Sequence, residues 1–527
     1  MRVLIFGVDG LSYRVLHPMM QAGHLPNFQA LAHDGVETIL ESKFPPFTPP
    51  AWTSMVTGVK PARHGVYDFW EYDEQGRDQL VVGRKAGKAI WNMLSDYGRR
   101  VLVVNVPLTY PPEPVNGVFV SGFPGARETG DFTYPRAFRD ELLAHIPDYQ
   151  VDLDKDALRH SEHSHAQQSV FVIQRRMELM RYLLREKEWD FAFVVYRLAD
   201  HLQHKRWPEI MSMQPDELRY YQLLDQALGE AREAVGKDGA LLVVSDHGFQ
   251  GTRAIFGLNE YLYRRHWLHT NRNQHRGRQM AEALAKVTFK RMGIIYPVRV
   301  AKRRIKGWLP GSSHADDPAK MRMAPYFTRE EQRAAGVSMP SWSGTAGGYS
   351  VLRMSRPYSE QQMADLRGEL QAIQDPTTGQ PLLDAIYPTE VFGEGPYAPD
   401  DECLLLLASD GLTFTPVLGK PWLWEYETRI FGTHQKDGVF YACGPSIRAG
   451  MRGPQETPFS IYDVLPTTLR MMGLPVPTGL DGRVLDEIFT EVAAPAHDGS
   501  DGNDGSDVSG ESVAARKLRQ VRQLQRR

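Results

Sequence analysis

Five short runs along the chain are apolar almost without interruption: Val3–Val8, residues 101–106, Phe191–Tyr196, residues 241–244 and residues 439–442. They are rich in Val, Ile and Phe and do not alternate with polar positions. A strand wetted on one face alternates, whereas one covered on both faces does not, so these runs read as buried parallel strands. Between them lie longer stretches with helical spacing of apolar residues, as in 169–187 and 216–235. Strands alternating with helices on this scale predict an α/β fold with a mostly parallel central sheet covered on both sides. In such sheets ligands collect beyond the carboxyl ends of the strands. Polar residues able to do chemistry stand at the predicted strand ends.

Composition narrows the class. Of 527 residues, 42% are apolar and 24% charged, the balance of a folded globular protein. That length suits three domains or one large α/β unit with insertions. A net charge of −3 excludes a polycation built for nucleic acid, so affinity for phosphate has to come from a local site. Cys403 and Cys443 are too few for a disulfide framework, lack metal-ligand spacing, and read as buried thiols. The longest purely apolar stretches, such as 404–408, fall far short of the ~20 residues that span a bilayer. Arg2 leads straight into the first strand without a signal-peptide pattern, so a soluble, cytoplasmic protein is expected.

Two segments leave the α/β pattern. Between Arg264 and Lys306 thirteen Lys/Arg stand against one acid, Glu282, with Trp267, Leu284, Val287, Ile294 and Ile295 interleaved. This predicts an insertion or cap with a basic face, either simply solvated or in contact with anionic substrate, a membrane surface or nucleic acid. Residues 494–512 are rich in Gly, Ser and Asp and predict a flexible linker. The last stretch, Arg516 to Arg527, carries six basic residues, with Val513, Leu518, Val521 and Leu524 spaced for one helical stripe. It reads as a disordered tail with the means to dock on an acidic or membrane surface. These shifts divide the chain into residues 1–259, the first part of a catalytic domain; 260–400, the basic insertion or cap; 401–493, the remainder of that domain; and 494–527, linker and tail.

Five separated pieces carry the candidate chemistry. Asp9 ends the first strand, in Gly7-Val8-Asp9-Gly10. Thr48 stands among Pro45, Pro46, Pro49 and Pro50, which suits a hydroxyl held at a helix start, where free N–H groups and the helix dipole favour an anion. Asp200 and His204 are four apart, so one helical turn aims both at one ion, with His201 off that face. Asp246-His247-Gly248 closes the strand at 241–244, and His434 precedes the one at 439–442. Singly, each has an ordinary structural role as turn former, cap or loop histidine. Together they supply O and N ligands in the mixture a two-zinc site uses.

The order of these pieces (Asp-Gly, Thr before Thr57-Gly58, Asp-x-x-x-His, Asp-His-Gly, Gly-x-His) resembles the alkaline phosphatase superfamily, most closely its type I phosphodiesterase/nucleotide pyrophosphatase branch. Leu25-Pro26-Asn27-Phe28 with Leu31 and Gly35 resembles the family's segment after the first Asp. Thr48 to Ser54 with His64-Gly65-Val66-Tyr67-Asp68-Phe69 resembles a bacterial phosphohydrolase or phosphomutase subgroup. Ser460 to Thr467 with Gly473-Leu474-Pro475 resembles the family's last helix, and the resemblance spans about residues 1–250 and 430–488. It implies an alkaline-phosphatase-like three-layer sandwich. It also implies a metal-dependent phosphoric ester hydrolase acting on a small-molecule phosphate ester. Asp200, His204 and His434 would hold one divalent cation, and Asp9, Asp246, His247 and the nucleophile Thr48 the other, with zinc expected and manganese the alternative. One position departs from the nucleotide-cleaving members, which carry an asparagine where this chain has Phe69; the nucleotide substrate is therefore not carried over.

Charge bookkeeping agrees with that assignment. Two divalent cations about 4 Å apart bring four positive charges, balanced by Asp9, Asp200, Asp246 and a Thr48 alkoxide. No general base follows Thr48 in sequence, so metal coordination is the available way to ionise it. The expected course is attack by Thr48 on phosphorus, a covalent phospho-threonine, then hydrolysis with net retention. A backbone N–H near residues 49–51, or the basic insertion, is expected to contact a phosphate oxygen. The same residues would serve a phosphomutase or phosphotransferase; the non-catalytic alternative is a polyanion or membrane-surface adaptor on this scaffold. Asp152-Leu153-Asp154-Lys155-Asp156 begins like a calcium loop but has Ala157 for the required glycine and His163 for the closing glutamate. His160, His163 and His165 read as a solvated loop.

Overall fold

The computed structural model describes residues 1–490 apart from 43–44, 73–77, 82, 85, 154–163, 269–336, 339–347, 355–357, 400–401, 416–417, 420 and 454–456. Most of the basic run after Arg264, the tail from 494, the calcium-like segment from Asp154, His160 and His163 lie outside the described residues. Those described form two compact units. The first draws on Met1–Gly251, Glu390–Ala398 and Ile430–Arg527, and the second on Thr252–Thr389 and Pro399–Arg429.

The first unit is built on one sheet. Its strands are β1 (Val3–Val8), β2 (Val36–Glu41), β3 (Val101–Val104), β4 (Gly117–Val120), β5 (Thr133–Tyr134), β6 (Phe191–Tyr196), β7 (Ala240–Val244), β8 (Asp437–Cys443) and β9 (Met451–Arg452). They lie in the order β9-β2-β8-β7-β1-β6-β3-β4-β5, with Phe459–Ser460 also beside β2. The four strands β7, β1, β6 and β3 run parallel. The run at 439–442, expected to be parallel, is antiparallel: β8 runs against both β7 and β2. Its side chains are buried on both faces like those of its neighbours, and burial of that kind carries no information about strand direction.

Five helices matter to the site: α1 (Thr48–Thr57), α2 (Ser164–Glu186), α3 (Leu198–Met211), α4 (Pro215–Val235) and α5 (Val464–Met471). Alternate side chains of β1 go to opposite faces, as strand geometry requires. Leu4, Phe6 and Val8 join one buried cluster with Leu183 of α2, Leu202 of α3 and Leu224 of α4. Val3 and Ile5 join another with Trp52 of α1 and Leu465 of α5. Helices therefore cover the sheet on both sides, which makes the three-layer α/β sandwich. The helix boundaries follow local rules: α4 starts on Pro215 with Asp216 and Glu217 in its first turn, and α1 stops at Gly58 in the left-handed conformation, φ 67°.

The second unit has its own four-stranded sheet, in which Tyr349–Met354 and Leu383–Pro388 flank Cys403–Ala408 antiparallel. Helix Glu360–Gln371 adds Leu366 to a core holding Leu352, Leu404 and Leu406. Cys403 is buried and Cys443 only half-buried, and both are free thiols. Among the described residues no helix is long and apolar enough to cross a membrane.

Candidate active site

The sheet brings the candidate residues to one edge. Asp9 is the first residue past β1; Asp246 and His247 follow β7 after Ser245. Asp200 and His204 sit one turn apart near the start of α3, which follows β6. Thr48 opens α1 beyond the carboxyl end of β2. His434 reaches the same edge because β8 is reversed, so the residues that precede it arrive where the parallel strands end.

All seven sequence candidates meet there. Ligand atoms of Asp9, Asp246 and His247 lie within 4.8 Å of one another, as do those of Asp200, His247 and His434. His204 Nε2 is 2.9 Å from His434 Nε2 and 3.4 Å from Asp200 Oδ2, so it reaches the second group as well. Thr48 Oγ1 stands 3.4 Å from Asp9 Oδ1 and 3.4 Å from His247 Nε2.

The three imidazoles share one arrangement. Nδ1–H of His204 donates to the Gly432 carbonyl (3.1 Å), that of His247 to Gly248 (3.1 Å), and that of His434 to Pro46 (3.2 Å). Each backbone bond anchors the Nδ1 side of the ring and turns Nε2 inward, the orientation metal-ligating histidines take. Burial, followed by the neighbouring His434, drives the His247 imidazole well below its ordinary value; burial also lowers His434, opposed by Asp200.

The carboxylates make the same point from the opposite charge. Burial, then Asp246 and Asp200, pushes the Asp9 carboxyl well above its ordinary range. Burial raises Asp246 likewise, against the donated Gly10 N–H at 3.1 Å. Burial raises Asp200 too, but His204 and His434 outweigh it and hold that carboxyl well below the usual range. Asp9 Oδ2 and Asp246 Oδ2 are buried without a hydrogen-bond partner. Unpaired buried charge costs several kcal/mol per ion, on the order of what a bound cation returns. Imidazole nitrogens and carboxylate oxygens converging on shared points are a donor set that fits divalent cations.

Local structure explains the precision. Gly10 adopts φ +69°, and a Cβ there would fall 2.8 Å from the Phe249 ring and 3.3 Å from the Asp200 backbone. Its carbonyl accepts from Gln203 Nε2 (2.8 Å), tying the loop after β1 to α3. The N-cap of α1 is Phe47, not Thr48. The expected phosphate contact from backbone N–H groups at 49–51 is not available: Pro49 and Pro50 have none, and the Ala51 N–H already donates to the Phe47 carbonyl (3.1 Å).

Two residues escaped the sequence reading. His165 belongs to α2, not to a solvated loop, and its Nδ1 lies 2.8 Å from His201 Nε2. Arg197, the first residue past β6, pairs with Asp152 and stacks over Phe123 at 4.5 Å. Burial opposes its charge, but Asp152, Asp9 and Asp200 hold it. The signal available was its position: a cation one step past a buried strand, at the edge where the candidate ligands gather.

The chain matches the family model described as "Type I phosphodiesterase / nucleotide pyrophosphatase" over residues 3–321. It belongs to that family. The matched segment contains every candidate ligand except His434. As a type I phosphodiesterase relative within the alkaline phosphatase superfamily, the chain is a phosphoric ester hydrolase, and its family typically depends on divalent metals. Among solved structures it is similar to phosphonoacetate hydrolase from Sinorhizobium meliloti 1021 in complex with phosphonoformate, with 15% identity and TM-score 0.50 over 88% of this chain and 94% of that one. It is also similar to human ectonucleotide pyrophosphatase/phosphodiesterase 5, with 12% identity and TM-score 0.49 over 93% of this chain and 100% of that one. At such identity the first likeness speaks for the fold alone. A search of curated proteins found no match.

Proposed function

We propose that this family member hydrolyses phosphodiesters through a phospho-threonine at Thr48. The observation that carries the reading is the convergence of three backbone-anchored imidazoles, two buried carboxylates and the half-buried Asp200 beside one threonine hydroxyl. Asp200, His204 and His434 would hold one divalent cation, and Asp9, Asp246, His247 and Thr48 a second, with zinc the best match to mixed Asp/His ligands and manganese the alternative. When bound, the pair supplies Lewis acidity that favours the ionised hydroxyl and offsets charge on the phosphoryl group.

The chain's own residues do the rest. Thr48 Oγ1, its proton lost to solvent, attacks phosphorus; the O–P bond to threonine forms as the bond to one alcohol breaks, and that alkoxide takes up a proton. Water then attacks the phospho-threonine, the Thr48 O–P bond breaks, and the hydroxyl regains a proton. Two in-line displacements leave phosphorus with retained configuration. The start of α1 fixes Thr48 in place, so little motion separates the resting site from attack. A cytoplasmic location belongs to the same proposal and is supported by the free thiols of Cys403 and Cys443.

Thr48→Ala is expected to abolish turnover of an aryl phosphodiester while circular dichroism and melting temperature stay near wild type. Retained turnover would remove Thr48 as nucleophile. Product analysis in the presence of an added alcohol separates hydrolysis, which yields the free phosphomonoester, from transfer, which yields a new diester.

A further inference from the structure

Away from the candidate ligands, a cleft of about 590 Å³ runs between α2 and α4 over the sheet. That size falls within the roughly 300–1,000 Å³ of ordinary small-molecule sites. The sequence of α4 accounts for it: Ala227, Ala231 and Ala234 recur at i, i+4 and i+7 and so share one face, while Leu224, Leu228 and Val235 fill the core beside them. Across from the alanines stand Met177, Met180 and Leu184 of α2, again on one face, with Phe6 and Val194 of β1 and β6 behind. From Met177 to Leu184, and from Ala227 to Ala234, the helices rise about 10 Å at ~1.5 Å per residue. The cleft is therefore long, narrow and apolar along its walls.

One polar side chain interrupts those walls. Tyr196 ends β6, is 5% exposed, and lines the cleft with its ring 4.7 Å from that of Phe6. Its hydroxyl makes no hydrogen bond to the described residues, and the charges acting on it include Glu230 and Arg181, which line the same cleft. Burial raises its pKa further above neutrality, so the phenol stays a donor. A buried donor without an acceptor is costly, and a ligand that brings one removes the cost. The charged groups of the lining cancel, Arg181 and Arg185 against Glu230 and Glu233. Arg181 is moreover held by Glu230 across the two helices through both Nε (2.8 Å) and Nη2 (2.7 Å). No net charge is left to draw an ion into an apolar cleft, where it would lose its hydration. We propose that this cleft binds an uncharged aliphatic molecule with one hydrogen-bond acceptor, such as a medium-chain ester. The acceptor takes the Tyr196 hydroxyl, and the chain lies between the alanines of α4 and the adaptable methionines of α2. The inference stands apart from the phosphodiesterase reading, because the cleft shares no residue with the candidate ligands.

The test titrates the full chain with methyl octanoate and with octanoate, by calorimetry and by melting temperature. Methyl octanoate should bind saturably and raise the melting temperature, and octanoate should bind at least roughly tenfold more weakly. Tyr196→Phe keeps the ring, loses the donor, and should weaken methyl octanoate about threefold to tenfold, the worth of one neutral hydrogen bond. Ala231→Leu puts a larger side chain into the cleft; it should abolish binding while the free protein melts at or above the wild-type temperature. Absence of saturable binding, equal binding of octanoate, or unchanged affinity in either variant would overturn the inference. So would an Ala231→Leu protein melting several degrees lower, since the helices would then already be packed too closely to admit a ligand. Affinity should be the same with a chelator as with added zinc; binding lost on chelation would put the ester at the catalytic edge and overturn the assignment to this cleft.

Discussion

His64 is fully buried beside α1, away from the ligand atoms, and its hydrogen bonds fix its state. The Val66 N–H donates to Nδ1 (3.1 Å), so the ring's proton sits on Nε2 and is given to Ser54 Oγ (2.9 Å). Both nitrogens are thus committed to the neutral ring, and burial, with Arg84 adding to it, lowers its pKa from 6.5 to about 3. The folded pKa lies below the unfolded one, so the unfolded chain binds more protons between them. His64 therefore contributes full stability above pH 6.5, and this is lost progressively as pH falls toward 3. The amount at stake is on the order of 3–5 kcal/mol. Denaturant melts of wild type and His64→Gln over pH 4–7 should show the gap between them narrowing as pH falls. A constant gap would mean that His64 is not held neutral.

At the scale of elements, the position of Thr48 depends on how closely α1 approaches β1. A Cβ on Gly7 would fall 2.8 Å from Trp52 Cη2 and 3.0 Å from Val195 Cγ2, so the helix lies directly on the strand. Gly7→Ala should displace α1, at about 1–3 kcal/mol of overpacking. A shift of the helix by a fraction of an ångström moves Thr48, the proposed nucleophile, relative to Asp9 and His247, so kcat should fall at least tenfold with KM little changed. A fall in stability with unaltered kcat would show that α1 yields elsewhere. The approach itself was not legible in Gly7-Val8-Asp9-Gly10, since glycine next to a strand end reads first as a turn. What was legible was five of the sheet's nine strands: the apolar runs pointed to β1, β3, β6, β7 and β8, and the residue types beside four of them pointed to candidate ligands. The direction of β8 was not, because a doubly covered strand shows the same apolar run whichever way it points. Arg197 was missed for a related reason: its meaning comes from Asp9, Phe123 and Asp152, which neighbour it only after folding.

Over the whole first unit, the candidate ligands come from positions as far apart as Asp9 and His434, because the strand order interleaves early and late segments. Cations bound there cross-link β1, α3, β7 and the segment before β8, none of which is paired that way in the unfolded chain. Binding to the native state alone stabilises it by about 2.7 kcal/mol when free ligand is at one hundred times Kd. Without the cations, Asp9 and Asp246 stay buried with unpartnered oxygens and repel one another. Chelation should therefore lower the wild-type melting temperature by roughly 5 °C, taking about 2–4 °C per kcal/mol for a large domain, and zinc or manganese should restore it. Asp9→Asn should behave in the opposite way: it weakens metal binding, yet its chelated form should melt above chelated wild type, because a neutral amide removes one buried charge. If chelation left wild type unmoved, or if chelated Asp9→Asn melted lower, the three carboxylates would not be a charge cluster awaiting cations.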